Sequence, residues 1–433
     1  MLISNVRPWG GDAQDIEIAD GAITALHPHD PARATGADDV VPGRGRLALP
    51  SFSDVHCHLD SNRLGLPFRP HTGTPGVWGL TMNDRAHWRE DGTVAERATH
   101  ALGLMIARGT TRVRSYAQID ADSGLERFEG VLAAKEAHKD RCEVEIMAFP
   151  QAGLLREKGV PELMDQALAS GAAVVGGIDP CTLDRDPVKH LDIVFGLAER
   201  HQAPVDIHLH EPGHLGVFSV DLILERVRAL GMRGKVTLSH AYELGAVDEA
   251  TTRRLTEEFA ELDISMATIA PAQQLHALPL AGLTEAGVRV GLGEDGQRDY
   301  WSPYGNADML DRTWQLAFTN RYRKDELIEH CMAVATWGGA TVIDPSAARR
   351  RRPGRPAAAR RRDGRLGGHG PRRRPHGPAR GPRRGGRPGA GGLSTPHTAA
   401  HTAHGWAGHA APARREPVTL VVAGSRRVRV VPV

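Results

Sequence analysis

Residues 52–58 read FSDVHCH, a short apolar and β-branched run that ends on two histidines one residue apart. Side chains two apart on a strand project to the same side, so His56 and His58 can face one point while Cys57 turns into the surrounding core. A lone pair of this kind is more often ordinary packing than chemistry, so its meaning depends on what recurs. Seven further runs of the same character follow: TRVRSY (111–116), EVEIMAFP (143–150), AAVVGGI (172–178), PVDIHLH (204–210), VTLSHA (236–241), DISMATI (263–269) and RVGLGED (289–295). Amphipathic stretches separate them. TVAERATHALGLMIARG places Val94, Ala98, Ala101, Leu102, Met105 and Ile106 on one helical stripe and stops at Gly109. SVDLILERVRALGM reads as a helix with Ser219 as N-cap and Asp221 in its first turn, and VDEATTRRLTEEFAEL as another. Eight strands alternating with helices predict an α/β chain closed into a (β/α)8 TIM-like barrel.

Outward from the barrel the text changes. In the first segment (1–50), DIEIADGAITAL reads as a hairpin turning at Asp20-Gly21, which suits a small accessory β domain. The barrel spans 51–344, and its connection from Leu59 to Gly92 is long and rich in Gly and Pro, the mark of an active-site loop or lid. From 345 to 433 Arg, Gly, Pro and Ala dominate and apolar periodicity vanishes, so the segment reads as disordered, with only VTLVVAGSRRVRVVPV suited to a terminal hairpin. The abruptness of the change suggests a reading-frame shift in a GC-rich gene, which would leave the β domain incomplete. The competing reading is an Arg-rich arm that binds a polyanion through phosphate contacts alone.

The 433 residues are 40% hydrophobic with a formal net charge of +2, enough for one large core and without the excess charge of a dedicated nucleic-acid binder. Cys57, Cys142, Cys181 and Cys331 lie far apart without a CxxC spacing, as expected of free thiols in a reducing cytoplasm. No signal peptide and no membrane-spanning run is visible, so the expectation is a cytoplasmic protein without a membrane partner.

Active sites of such barrels lie at the C-terminal ends of the strands. The first strand ends in His56 and His58, the fifth in His208, the sixth in His240 and the eighth in Asp295, with Glu211 three residues beyond His208. Three imidazoles and one carboxylate could converge on a single divalent cation with a position left for water. Such a cation lowers the pKa of water from 15.7 towards roughly 7. A carboxylic acid must then deliver a proton to the leaving nitrogen, and Glu211 suits that task. His210 could compete as a ligand, although a loop or supporting role is the plainer reading.

The motifs LALPSFSDVHCHLD, EIMAFPQAG, VDIHLHEPG, VTLSHAYEL and GLGEDGQRDYWSPYGNADML, within residues 46–343, resemble the amidohydrolase superfamily and, inside it, the cytosine deaminase group. The resemblance implies one metal ion, Zn2+ or Fe2+, with His56, His58, His208 and Asp295 as ligands. It implies that Glu211 shuttles protons and that His240 orients the attacking hydroxide; in the reaction expected on this basis Asp295 takes the hydroxide's proton. It also implies that Gln151 hydrogen-bonds the substrate and that Trp301 walls the pocket. No lysine follows the third or fourth strand, where two-metal relatives carry a bridging ligand. The chain departs from cytosine deaminases at Gly296, where they usually carry a second aspartate that contacts the ring, and at Glu294, where His is common.

The expected function is therefore hydrolysis of a C–N bond, as deamination of a cytosine-like nitrogen heterocycle. The alternatives are ring opening of a cyclic amide or amidine at the same site, or a catalytically impaired protein whose tail binds polyanions. The expected partner is a small-molecule nitrogen heterocycle, with assembly into a homo-oligomer also open.

Overall fold

The computed structural model describes residues 1–350 except 21, 36–38, 70–75 and 274–276. The expected tail hairpin and most of the Arg-rich segment lie outside the described residues.

The first segment forms a four-stranded sheet in the order β3-β2-β1-β4. Its strands are β1 (Leu2–Pro8), β2 (Gln14–Ala19), β3 (Ala22–Pro28) and β4 (Val40–Ala48). The hairpin is β2 with β3, closed at Ala19 opposite Ala22, with Asp20 at φ 49° in the left-handed region that Asp tolerates in tight turns. Sequence reading found this hairpin and missed its neighbours: β1 runs antiparallel to β2 and parallel to β4. Ile3, Val6, Ile16, Ile18 and Ala48 form its own small core.

Eight parallel strands then make the barrel, all eight in the expected runs. They are β5 (Phe52–Cys57), β6 (Thr110–Gln118), β7 (Glu143–Phe149), β8 (Val174–Ile178), β9 (Val205–His208), β10 (Val236–Ser239), β11 (Ser265–Thr268) and β12 (Arg289–Leu292). They pair in chain order. Closure is made where Asp295 donates its backbone N–H to the carbonyl of His56 at 2.7 Å and a parallel bridge joins Cys57 to Asp295. Gly293 permits it, since a Cβ there would lie 2.5 Å from both the Cβ and the carbonyl oxygen of His56. Only glycine lets the last strand come that close to the first.

The helices pack outside. Val94–Ala107 starts with a capping box between Thr93 and Glu96 and buries Val94, Ala98, Ala101, Leu102, Met105 and Ile106, the stripe read from sequence. Burying each large apolar side chain of this set contributes about 1.5–3 kcal/mol. Helix Glu249–Glu261 likewise starts at a capping Asp248. The helix after β9 corrects the sequence reading: it runs Gly213–Ala229, so Ser219 is in its interior and not at its N-cap. The long connection after β5 is more than a loop. It carries helix Val77–His87, its two ends are joined by Arg63, which donates to Asp91 at 2.6 Å, and the backbone N–H of Arg63 donates to the carbonyl of Gln297, after β12, at 3.1 Å.

The barrel interior is polar where a hydrophobic filling is usual. Arg114 and Tyr116 point inward from β6, Asp206 from β9, and Thr237 and Ser239 from β10. Arg114 donates to Asp206 at 3.0 Å, to Glu145 at 2.6 Å and to Thr237 at 3.1 Å. Each buried charge is therefore paired and hydrogen-bonded, the condition under which burial is tolerated. This polar stack forms the floor of the site above it.

Candidate metal centre and active site

His56, His208 and His240 offer ring nitrogens that lie within 4.8 Å of one another, as do the ligand atoms of His56, His58 and Asp295. The two groups share His56, so residues from β5, β9, β10 and the end of β12 meet at one place. His56 and His58 reach it through strand alternation. His240 does not: it follows the inward-facing Ser239, and regular pleating would point it away. It is turned in by a left-handed backbone, φ 68°, continued at Ala241, φ 48°. Asp295 also has a positive φ, 61°. Such conformations are uncommon for non-glycine residues and cluster at functional sites.

The electrostatics of this cluster fit a cation. Burial, and then the neighbouring imidazoles, hold His208 and His240 well below the ordinary histidine range, and burial also lowers His56. For His58 burial acts downward, but Asp295 outweighs it and the net shift is upward. Burial would raise Asp295, yet close contact with the His56 and His58 rings, and then the charge of His56 and His240, hold it well below the usual carboxylate range. Asp295 Oδ1 lies 3.4 Å from His56 Nε2 and 3.3 Å from His58 Nε2. Among the described residues, His56 Nε2, both ring nitrogens of His208 and Nδ1 of His240 lack a hydrogen-bond partner although buried. Orphaned buried nitrogens are costly unless something absent from a protein-only description satisfies them. Neutral imidazoles with free lone pairs around an ionised carboxylate are the donor set a divalent cation requires.

The floor fixes the orientation of His56. Tyr116 Oη lies 2.8 Å from His56 Nδ1 and 3.0 Å from Ser239 Oγ, and Ser239 donates to Asp206 at 2.6 Å. The ring therefore turns Nε2, not Nδ1, toward the cluster. A partner on the far nitrogen of this kind typically accompanies metal-binding histidines.

A cavity of about 680 Å³ opens above the cluster, lined by His58, His208, His240 and Asp295 and by both sequence-predicted substrate contacts, Gln151 and Trp301. His210 lines it too. Its Nδ1 lies 2.8 Å from Asp179 Oδ2, and its backbone N–H donates to Asp179 Oδ1 at 2.7 Å. Burial opposes charge on His210, but Asp179 more than compensates and the net shift is upward.

Glu211 behaves differently from the sequence-based expectation. It is buried and is not among the residues lining the cavity. Its Oε1 accepts from the backbone N–H groups of Cys181 and Thr182 at 2.9 and 2.7 Å and from the Thr182 hydroxyl at 3.1 Å, while Oε2 accepts from Ser219 at 2.5 Å. Both oxygens are thus engaged in bracing the loop after β8 against the helix after β9. The long-range donors that hold it there, and Asp179 beside His210, had no local sequence signal. Glu294 lines the cavity as well, with one carboxylate oxygen accepting from Arg312 at 3.2 Å and the other, among the described residues, without a hydrogen-bond partner.

The space over Gly296, where a second aspartate was missing, is filled by Asp299. A Cβ at 296 would lie 2.0 Å from Asp299 Oδ2. Asp299 lines the cavity, and burial pushes its carboxyl up to about 7.

Residues 78–346 match the model of the amidohydrolase family. The chain belongs to that family. It is 36% identical over 309 residues to a protein of Escherichia coli described as uncharacterized protein YahJ, covering 69% of this chain and 65% of that one. The chain thus spans somewhat less than two thirds of that relative. Among solved structures, N-isopropylammelide isopropylaminohydrolase from Burkholderia multivorans superposes with a TM-score of 0.72 at 38% identity, over 79% of this chain and 86% of that one. The 5-methylcytosine deaminase of Klebsiella pneumoniae liganded with 5-fluorocytosine gives 0.68 at 25% identity, over the same shares. Among the described residues, no helix is long and apolar enough to cross a membrane.

Proposed function

We propose that this chain is a metal-dependent hydrolase that removes an exocyclic amine from a six-membered nitrogen heterocycle. The observation that carries the reading is the set of buried, partnerless imidazole nitrogens converging with Asp295 beneath a cavity. His56, His58, His208 and Asp295 would hold one divalent cation, Zn2+ or Fe2+. When bound, that cation supplies a nucleophile at neutral pH by lowering the pKa of water towards roughly 7. Support for the substrate class comes from relatives named for N-isopropylammelide and 5-methylcytosine, both nitrogen heterocycles with an exocyclic amine.

The remaining steps fall to the chain's own side chains. Asp295, held ionised by its imidazole neighbours, accepts the proton that the attacking water gives up. His240, neutral and facing the same point, orients that water. His210 carries the proton to the leaving nitrogen: Asp179 fixes Nδ1–H, favours the cationic ring and leaves Nε2 as the nitrogen that exchanges a proton at the cavity. This assignment replaces Glu211, whose oxygens are occupied behind the wall. Gln151 meets one edge of the ring and Trp301 one face.

Amine release measured across aminopyrimidines, amino-triazines and lactams tests the reading on metal-loaded protein. Release of ammonia or an alkylamine from at least one aminoheterocycle is expected. Ring opening without amine release, or no turnover in any class, would overturn it.

A further inference from the structure

Asp299 is a buried carboxyl that the steps above do not use. Its Oδ1 accepts the backbone N–H groups of Trp301 and Ser302, each at 2.8 Å. That leaves Oδ2, whose one hydrogen bond among the described residues is a long one of 3.4 Å from the Ser61 hydroxyl. Oδ2 rests against Gly296, the residue directly after Asp295, in space that any side chain at 296 would occupy. A carboxylate with one oxygen pinned by two main-chain donors and the other nearly idle at a cavity wall is an acceptor lacking its donor.

We propose that Asp299 is a specificity-determining residue whose Oδ2 accepts an N–H of the departing amine, so that the site selects amine-bearing heterocycles over those carrying an ether or another leaving group without N–H. The inference rests on the amine-removal reading above. The location makes the choice of atom. Asp299 adjoins Asp295, where the reacting carbon must sit, and so meets a substituent on that carbon. Gln151 enters the cavity after β7, well round the rim, and faces a different edge of the ring. Gly296 is part of the device, because it leaves room for the carboxylate.

Two substitutions test it. In Asp299→Asn the pair of backbone donors keeps the amide oxygen on their side, so the NH2 faces the cavity and opposes a substrate N–H while suiting an ether oxygen. Gly296→Ala displaces the carboxylate without altering it, and no left-handed backbone is recorded at 296 to forbid alanine. Each is assayed above pH 8, where the Asp299 carboxyl is ionised and its Oδ2 can only accept, with cytosine against 4-methoxypyrimidin-2-one, and with an isopropylamino-triazinedione against its isopropoxy counterpart.

The wild type should favour the amine of a pair. Asp299→Asn should lower kcat/KM for the amine about 10²-fold, as expected of a buried donor left unpaired. The ether should stay within about threefold, and Gly296→Ala should move the ratio in the same direction. Equal losses on amine and ether, or an unchanged ratio, would show that Asp299 only shapes its loop and would overturn the inference. If the wild type turned over no amine, the amine-removal reading would fail separately. The ratio would then be read as Kd by calorimetry on the metal-loaded protein, where no preference for the amine equally overturns the role of Asp299.

Discussion

Asp179→Asn separates the two candidate proton carriers. The substitution keeps the shape and the polar atoms of the side chain. The backbone N–H of His210 donates to Asp179 Oδ1 at 2.7 Å, so the amide oxygen stays on that side and the NH2 is presented to Nδ1, where Oδ2 now stands at 2.8 Å. Two donors cannot face each other, so Nδ1 must become an acceptor. The ring proton moves to Nε2 and the cationic form is lost. General acid catalysis of this type contributes about 10²–10⁴-fold, and an Asp-to-Asn change that reverses a catalytic histidine's tautomer can cost about 10⁴-fold. The expected fall in kcat is therefore about 10²–10⁴-fold, or about 3–5 kcal/mol of barrier. Thermal unfolding should stay close to that of the wild type because the contacts are retained. Glu211→Gln is the comparison: its Oε1 donors can still be met, and the Ser219 hydroxyl can rotate to accept, so kcat should fall less than about tenfold. Steady-state kinetics at saturating amine substrate reads both. A severe loss in Glu211→Gln with Asp179→Asn near wild type would refute the assignment of His210.

Two further outcomes follow from the surroundings of the site. Tyr116→Phe removes the contact on His56 Nδ1 and should weaken metal affinity about 10–100-fold in competition with a chelator, whereas unchanged affinity would mean that the floor does not orient His56. Glu243 is wholly buried, and desolvation first, then Glu211 and Asp179, push its carboxyl up to about 8. The unfolded chain ionises it near 4.5, so the folded state binds the extra proton between those values and stability is lost as pH rises through that window. The Tm advantage of Glu243→Gln over wild type should therefore grow between pH 5 and pH 8, and a constant or shrinking difference would contradict it.

The barrel was legible because its strands are short β-branched runs whose chemistry sits at their C-terminal ends, and the same alternation placed His56 beside His58. His240 was legible by position but not by direction, since the left-handed backbone at His240 and Ala241 turns it inward. Ser219 misled because a Ser followed two residues later by Asp is good capping text, while the helix in fact starts at Gly213 and spends that hydroxyl on Glu211. Glu211 and His210 were not separable in the sequence for the same reason: which of two adjacent polar residues lines the cavity depends on Asp179, Cys181 and Thr182, supplied by another loop. Asp299 was hidden for a geometric reason. A glycine reads as a missing aspartate until the structure shows which side chain stands over it.

The central claim is a cation held by His56, His58, His208 and Asp295, and metal content tests it most directly. Elemental analysis of purified protein should find close to one equivalent of zinc or iron per chain, with nearly none in Asp295→Ala or His208→Ala proteins that remain folded by circular dichroism. Wild-type protein that stays metal-free after exposure to Zn2+ and Fe2+, or variants that retain the full equivalent, would contradict it.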